Sequence, residues 1–132
     1  MPGERDLQVL LSGMNPHLSG GEFVFCSYNQ DDLGPIQPIA TFRESEGISA
    51  IVAKQEADDE GLQYSYIARM IKLDVHSSLD SAGFIAAITG RLAQADISVN
   101  PVSAYFHDYL FVPRDQADET MCILTMMMNE VT

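Results

Sequence analysis

Apolar positions recur along the 132-residue chain with two different periods, and each change of period marks the end of an element. In RDLQVLLSG, Leu7, Leu10 and Leu11 fall at helical spacing, so a helix is expected over 5–13, stopped by Gly13 and Pro16. The turn-rich NPHLSGG leads into EFVFCSY, a strand over 22–28, and NQDDLGPIQP over 29–38 reads as the main loop. After IATFRESEG comes a second strand over 48–54, and QEADDEGL reads as a short acidic helix closed by Gly61. The longest strand candidate, YSYIARMIKLDV over 64–75, alternates most clearly from Met70 to Val75. Next, GFIAAITGRLAQA aligns Ile85, Ile88, Leu92 and Ala95 on one stripe. Strands over 97–106 and 109–113 then flank a turn at His107–Asp108, and a last helix is expected from an N-cap at Asp115 through Met121, Leu124 and Met128.

The order α-β-β-α-β-α-β-β-α contains α-β-β-α twice, which suggests a duplication divided into residues 1–63 and 64–132. Each half fits the ferredoxin-like plan β-α-β-β-α-β. Two full copies need twelve elements against nine found. The long central strand can serve both copies, and a missing edge can be filled by the other half or by another chain. The expected class is α+β, with two ferredoxin-like halves, mostly antiparallel sheets and helices packed on one face.

This topology makes a prediction about chemistry. A right-handed crossover from strand 68–75 through helix 83–95 to strand 97–106 leaves the two strands parallel, so both end on the same side. The polar corner VHSSLDSAGF, Val75–Phe84, then lies beside the His107–Asp108 turn. Ser77, Ser78 and Ser81 supply hydroxyl donors, and the helix start supplies unpaired backbone N–H groups suited to a carboxylate. Asp108 can accept from an ammonium group, while Ala82 and Gly83 leave room for close approach. Donors on one side and a carboxylate on the other suit a free α-amino acid. The plainer reading is that Ser77, Ser78, Asp80 and Ser81 cap the helix and Asp108 is a turn residue.

Composition removes other classes. The net charge of −12 and seven scattered basic residues leave no footprint for nucleic acid and repel anionic lipid. No apolar run approaches a membrane span and the N-terminus does not read as a secretory signal, so a cytoplasmic protein is expected. Cys26 and Cys122 are expected reduced and partly buried. His17, His76 and His107 share no metal-ligand spacing, and no G-x-S-x-G nucleophile elbow occurs, so neither a metal, a cofactor nor an enzyme is expected. The run Glu56–Glu60 reads as a solvated helix face rather than a calcium loop. Met126–Met128 place apolar surface on more than one helix face, pointing to core filling and partly to a homodimer interface.

The stretch SSLDSAGFIAAITGRLAQADISVNPVSAYFHDYLFVP, with Asp80 and Gly83, then Ala95–Asp96–Ile97–Ser98, then Asp108 through Val112 and Pro113, resembles an ACT domain. The resemblance covers residues 70 to about 126 and is nearest to the tandem-ACT group that includes cellular arginine sensors and small bacterial proteins of undefined role. The first half resembles the module more weakly, through FRESEGISAIVAKQEA, Phe42–Ala57, as a degenerate copy. The resemblance implies a non-catalytic, regulatory amino-acid-binding protein, with the site often between two ACT units. It implies ligand contacts from the loop Ser78–Gly83 and from Asp108. In the group, Tyr109 is commonly His, and Ser81 stands where an acidic side chain helps hold arginine in the sensors, which argues against carrying arginine over. The expected site spans the corner 76–83 and the hairpin 105–109: Ser77, Ser78, Leu79, Asp80 and Ser81, with Gly83 and Phe84 from the helix start. His107 and Asp108 complete it. The rival expectation is a protein-interaction module with a vestigial pocket, docking a partner through the Met-rich C-terminal helix.

Overall fold

In the structure, a computed structural model, residues 3–29 and 33–130 are described. The chain divides into two compact units, Gly20–Ala68 and a second made of Met1–Ser19 with Arg69–Thr132. The partition expected at residue 63 differs mainly at the start of the chain. Residues up to Ser19 pack with the C-terminal segment because Leu7, Leu10, Leu11 and Met14 are apolar groups of its core.

The larger unit begins with α1, Leu7–Gly13, whose N-cap Asp6 accepts a hydrogen bond from the Val9 N–H. A three-residue strand β1, Pro16–Leu18, follows. The larger unit resumes after Ala68 within β5 (Ile67–Leu73) and continues through α3 (Phe84–Gln94), β6 (Asn100–Ser103), β7 (Asp108–Pro113) and α4 (Ala117–Glu130). Its strand order is β1–β5–β7–β6, with β1 antiparallel to β5 (His17 opposite Lys72) and β6 antiparallel to β7 (Ser103 opposite Asp108). This is the ferredoxin-like arrangement, and the fourth strand, expected from the other half or another chain, comes from residues 16–18. The core gathers Leu10, Met14, Ile71, Leu73, Phe84, Ile88, Leu92, Leu110, Val112 and Leu124. Stripes of α3 (Phe84, Ile88, Leu92) and α4 (Thr120, Leu124, Met127) are buried at the 3–4 spacing of amphipathic helices. Arg91 on α3 holds Glu130 on α4 through two hydrogen bonds, of 2.8 and 2.6 Å. Residues 114–116 form a 3-10 turn ahead of α4, so Asp115 sits in that turn rather than at the expected N-cap.

The smaller unit carries β2 (Phe23–Tyr28), β3 (Ala40–Glu44), β4 (Gly47–Ala53), α2 (Lys54–Asp59) and the first residues of β5, in the order β3–β4–β2–β5. Each neighbour is antiparallel, with Val24 opposite Val52 on one side and opposite Ile67 on the other. Gly47 turns the β3–β4 hairpin at φ 148°, where a Cβ would overlap the Tyr28 carbonyl oxygen, so only glycine fits. Its core is separate and small: Val24, Cys26, Ile36, Ala50, Val52 and Ala57. Where the ferredoxin plan places a first helix, this unit has the loop expected at 29–38, of which residues 30–32 lie outside the described residues. β1 and β3 are the two strands the apolar pattern does not announce. Cys26 is buried as expected, whereas Cys122 is exposed, since α4 turns Ile123 and Leu124 rather than Cys122 toward the core.

Candidate functional site

β5 ends at Leu73, and the chain turns through His76–Ala82 before α3 begins. Ser77 Oγ donates to Asp108 Oδ2 at 2.6 Å, a short charge-assisted bond between side chains at 7% and 4% exposure. Asp108 is the first residue of β7 and is buried, not an exposed hairpin residue. Contact between these two residues puts the start of β7 beside the end of β5, so the crossover brings the polar corner and Asp108 together as expected.

The serines do not cap α3. The N-cap is Gly83, held in the left-handed region at φ 91° and ψ −14°, with no side-chain capping bond. Ser77 is committed to Asp108. Ser78 is committed to its own loop: its Oγ accepts from the Asp80 N–H at 3.1 Å and its carbonyl from the Ser81 N–H at 3.0 Å. Local propensity favoured capping, and a partner 31 positions away wins instead. The first-turn N–H groups of α3, which no intrahelical carbonyl can reach, are therefore left without a side-chain cap.

A cleft of about 130 Å³ opens at that uncapped end, lined by Gly83, Ile85 and Ala86 from the start of α3 and by Ser77, Ser103 and Asp108 from the strand ends. Ser78, Leu79 and Ser81 complete it. A wider depression of about 360 Å³ shares Ser77, Ser78 and Leu79 and adds Gly3, His76, Asp80 and Tyr105. Leu79 and Tyr105 are 65% and 61% exposed there, and the equally exposed Phe106, outside the depression's lining, packs edge-on against Tyr105 with ring centres 4.9 Å apart.

Two expected site residues are elsewhere. Phe84 is 2% exposed and belongs to the core, because the first inward position of α3 faces the sheet. His107 lines neither depression; its Nε2 lies 3.5 Å from Asp74 Oδ1. Sequence reasoning missed Ser103, Ile85 and Ala86. The hairpin register, which sets Ser103 opposite Asp108, is the signal that finds the first of them. Among the described residues no three His, Cys, Asp or Glu side chains are grouped to hold a metal ion.

In the smaller unit a shallow depression lies beside α2, lined in part by Glu22, Lys54 and Asp58. Its charges are paired. Tyr64 Oη donates to Asp58 at 2.6 Å and Lys54 Nζ at 2.9 Å. The Tyr64 hydrogen bond, then Lys54, holds the Asp58 carboxyl below its ordinary range, and the bond to Asp58 raises the Lys54 ammonium above its own.

Models of the ACT domain match residues 2–69 and 65–125 of the chain. Among solved structures, a Vibrio cholerae protein of unknown function, described as a possible transport protein, shares 36% identity at a TM-score of 0.83, over 92% of this chain and 95% of that one. An Agrobacterium tumefaciens protein is 13% identical at a TM-score of 0.68, covering 85% and 87%. The structure of aspartokinase alpha and beta subunits is 12% identical at 0.60, covering 86% and 97%; these two likenesses are of fold alone. A search of curated proteins gives no match. No helix among the described residues is long and apolar enough to cross a membrane.

Proposed function

The chain belongs to the ACT domain family, and on that premise we propose that it is a non-catalytic regulatory protein that binds a free α-amino acid in the cleft between Gly83 and Asp108. ACT domains generally bind small-molecule ligands such as amino acids in regulation. The observation that carries the finer reading is the uncapped N-terminus of α3 opening on the same cleft as the buried Asp108 carboxylate. The first-turn N–H groups take the ligand carboxylate, and Asp108 takes its ammonium group. At about 130 Å³ the cleft is smaller than the roughly 300–1,000 Å³ of a drug-sized pocket, which suits a ligand as small as an amino acid.

Two features support binding without catalysis. Ser77 donates its hydroxyl hydrogen bond directly to Asp108, while His107 is turned toward Asp74, so no imidazole stands against the hydroxyl as it does in a Ser-His-Asp nucleophile. The rival docking module has little surface, because among Met126–Met128 only Met126 is exposed and Met127 fills the core. A cytoplasmic homodimer belongs to the same proposal, with exposed Leu79, Tyr105 and Phe106 at the mouth of the site as the surface a second copy covers.

A thermal-shift screen of the full chain against the twenty amino acids at millimolar concentration tests the reading. A ligand at 100 times its Kd adds about 2.7 kcal/mol, several degrees in a chain of this size. One selective hit, lost in Asp108→Ala, is expected. Silence across the panel contradicts the amino-acid assignment.

A further inference from the structure

The first described residues of the chain are stitched to the candidate site. Glu4 forms a parallel bridge with Ser77: its N–H donates to the His76 carbonyl at 2.7 Å and its carbonyl accepts the Ser78 N–H at 2.8 Å. The two bonds bracket Ser77, the residue that reaches Asp108. Gly3 lies so close to this loop that a Cβ would overlap the His76 carbonyl oxygen and come within 2.7 Å of the Ser77 carbonyl carbon. Backbone atoms form that wall, so a side chain cannot be accommodated by rotating a neighbour. On the other side the segment is anchored. Glu4 Oε2 accepts from the N–H groups of Arg5 and Asp6, Asp6 caps α1, and Leu7 and Leu10 pack into the core.

We infer that residues 3–6 act as a strap, with Gly3 and Glu4 as positioning residues that hold His76–Ser78 in the conformation that aims Ser77 at Asp108 and shapes the cleft. The loop from Asp74 to Gly83 is ten residues long, and holding it in one conformation costs backbone entropy that partners outside the loop help to offset. The strap supplies them from more than 70 positions earlier in the chain. The inference rests on the amino-acid reading of the cleft for its functional half: occupancy of the cleft and docking of the strap then favour each other, since linkage is reciprocal.

The test is amide hydrogen exchange on the full chain, for the wild type, Gly3→Ala and Gly13→Ala, with and without an equimolar mixture of the twenty L-amino acids at 2 mM each. Gly13 sits in the same N-terminal segment, but an added Cβ there meets nothing within 4 Å, which makes it the control. In the wild type, the mixture is expected to slow exchange at the Glu4 and Ser78 amides together. Gly3→Ala is expected to speed both by about tenfold or more and to abolish the response, while Ile88 and Leu92 in α3 keep their protection. Gly13→Ala is expected to match the wild type. Wild-type protection of Ser78 in Gly3→Ala would overturn the strap. Loss of protection in Gly3→Ala with no wild-type response to the mixture would uphold the positioning role and overturn the amino-acid reading.

Discussion

Ser77→Ala removes the hydrogen bond that the Asp108 carboxylate accepts and leaves that group at 4% exposure with its 2.6 Å donor gone. A hydrogen bond to a charged group contributes about 1.5–3 kcal/mol. Water can enter the adjoining cleft and replace part of the lost bond, so about 2 kcal/mol is the expected cost. Taking about 2.1 cal/mol/K per residue, unfolding a chain of this length carries about 0.28 kcal/mol/K, and the melting temperature should fall by about 7 °C. Urea unfolding followed by circular dichroism gives the free energy, and a double-mutant cycle with Asp108→Ala isolates the pair. A coupling energy of about 1 kcal/mol or more is expected. If Ser77→Ala stays within about 0.5 kcal/mol of the wild type and the cycle shows no coupling, the buried pair that organises the cleft does not exist.

Other substitutions separate the core from the surface. Leu124→Ala, at a fully buried position of α4, should cost about 2–5 kcal/mol, whereas Met126→Ala on the exposed face should stay within about 0.5 kcal/mol; equal effects in urea melts would contradict the burial pattern of that helix. The Tyr64–Asp58–Lys54 network gives a pH dependence. Because the folded chain holds the Asp58 carboxyl below its unfolded value, its contribution is present above about pH 4 and is lost as the pH falls through the depressed value. Asp58→Asn should therefore destabilise at neutral pH and flatten the decline of stability in acid, and an unchanged acid limb in stability-against-pH curves would refute this.

Elements defined by their own periodicity were legible in the chain. β6 spans only Asn100–Ser103 of the ten residues expected over 97–106 and buries none of them, whereas α1, α2, α3, α4, β2, β4, β5 and β7 lie close to where the chain's pattern puts them, bury residues of their own, and were legible. β1 and β3 were not. Pro16–Leu18 is three residues long and carries a proline, and Ala40–Glu44 is an edge strand whose residues are mostly exposed, so neither shows a buried face. Their strand character comes from the partner, β5 in one case and β4 in the other.

The candidate site divides in the same way. The nearness of the serine corner to Asp108 follows from the handedness of one crossover, which needs only the order of elements. What the serines do there was misleading, since Ser and Asp before a helix read as caps whenever no distant partner is visible. Ser103 depends on hairpin register, and the contacts of Gly3 and Glu4 depend on a bridge between residues far apart in the chain. Neither leaves a local pattern.

The most direct test of the central claim is a titration of ¹⁵N-labelled protein with the amino acid that most raises its melting temperature, read at each backbone amide. The largest shifts are expected at Phe84, Ile85 and Ala86, the uncapped first turn of α3, with Ser77, Ser103 and Asp108 moving at the same ligand concentrations. Shifts confined to the α2 depression around Lys54 and Asp58, with the first turn of α3 unmoved, would contradict it.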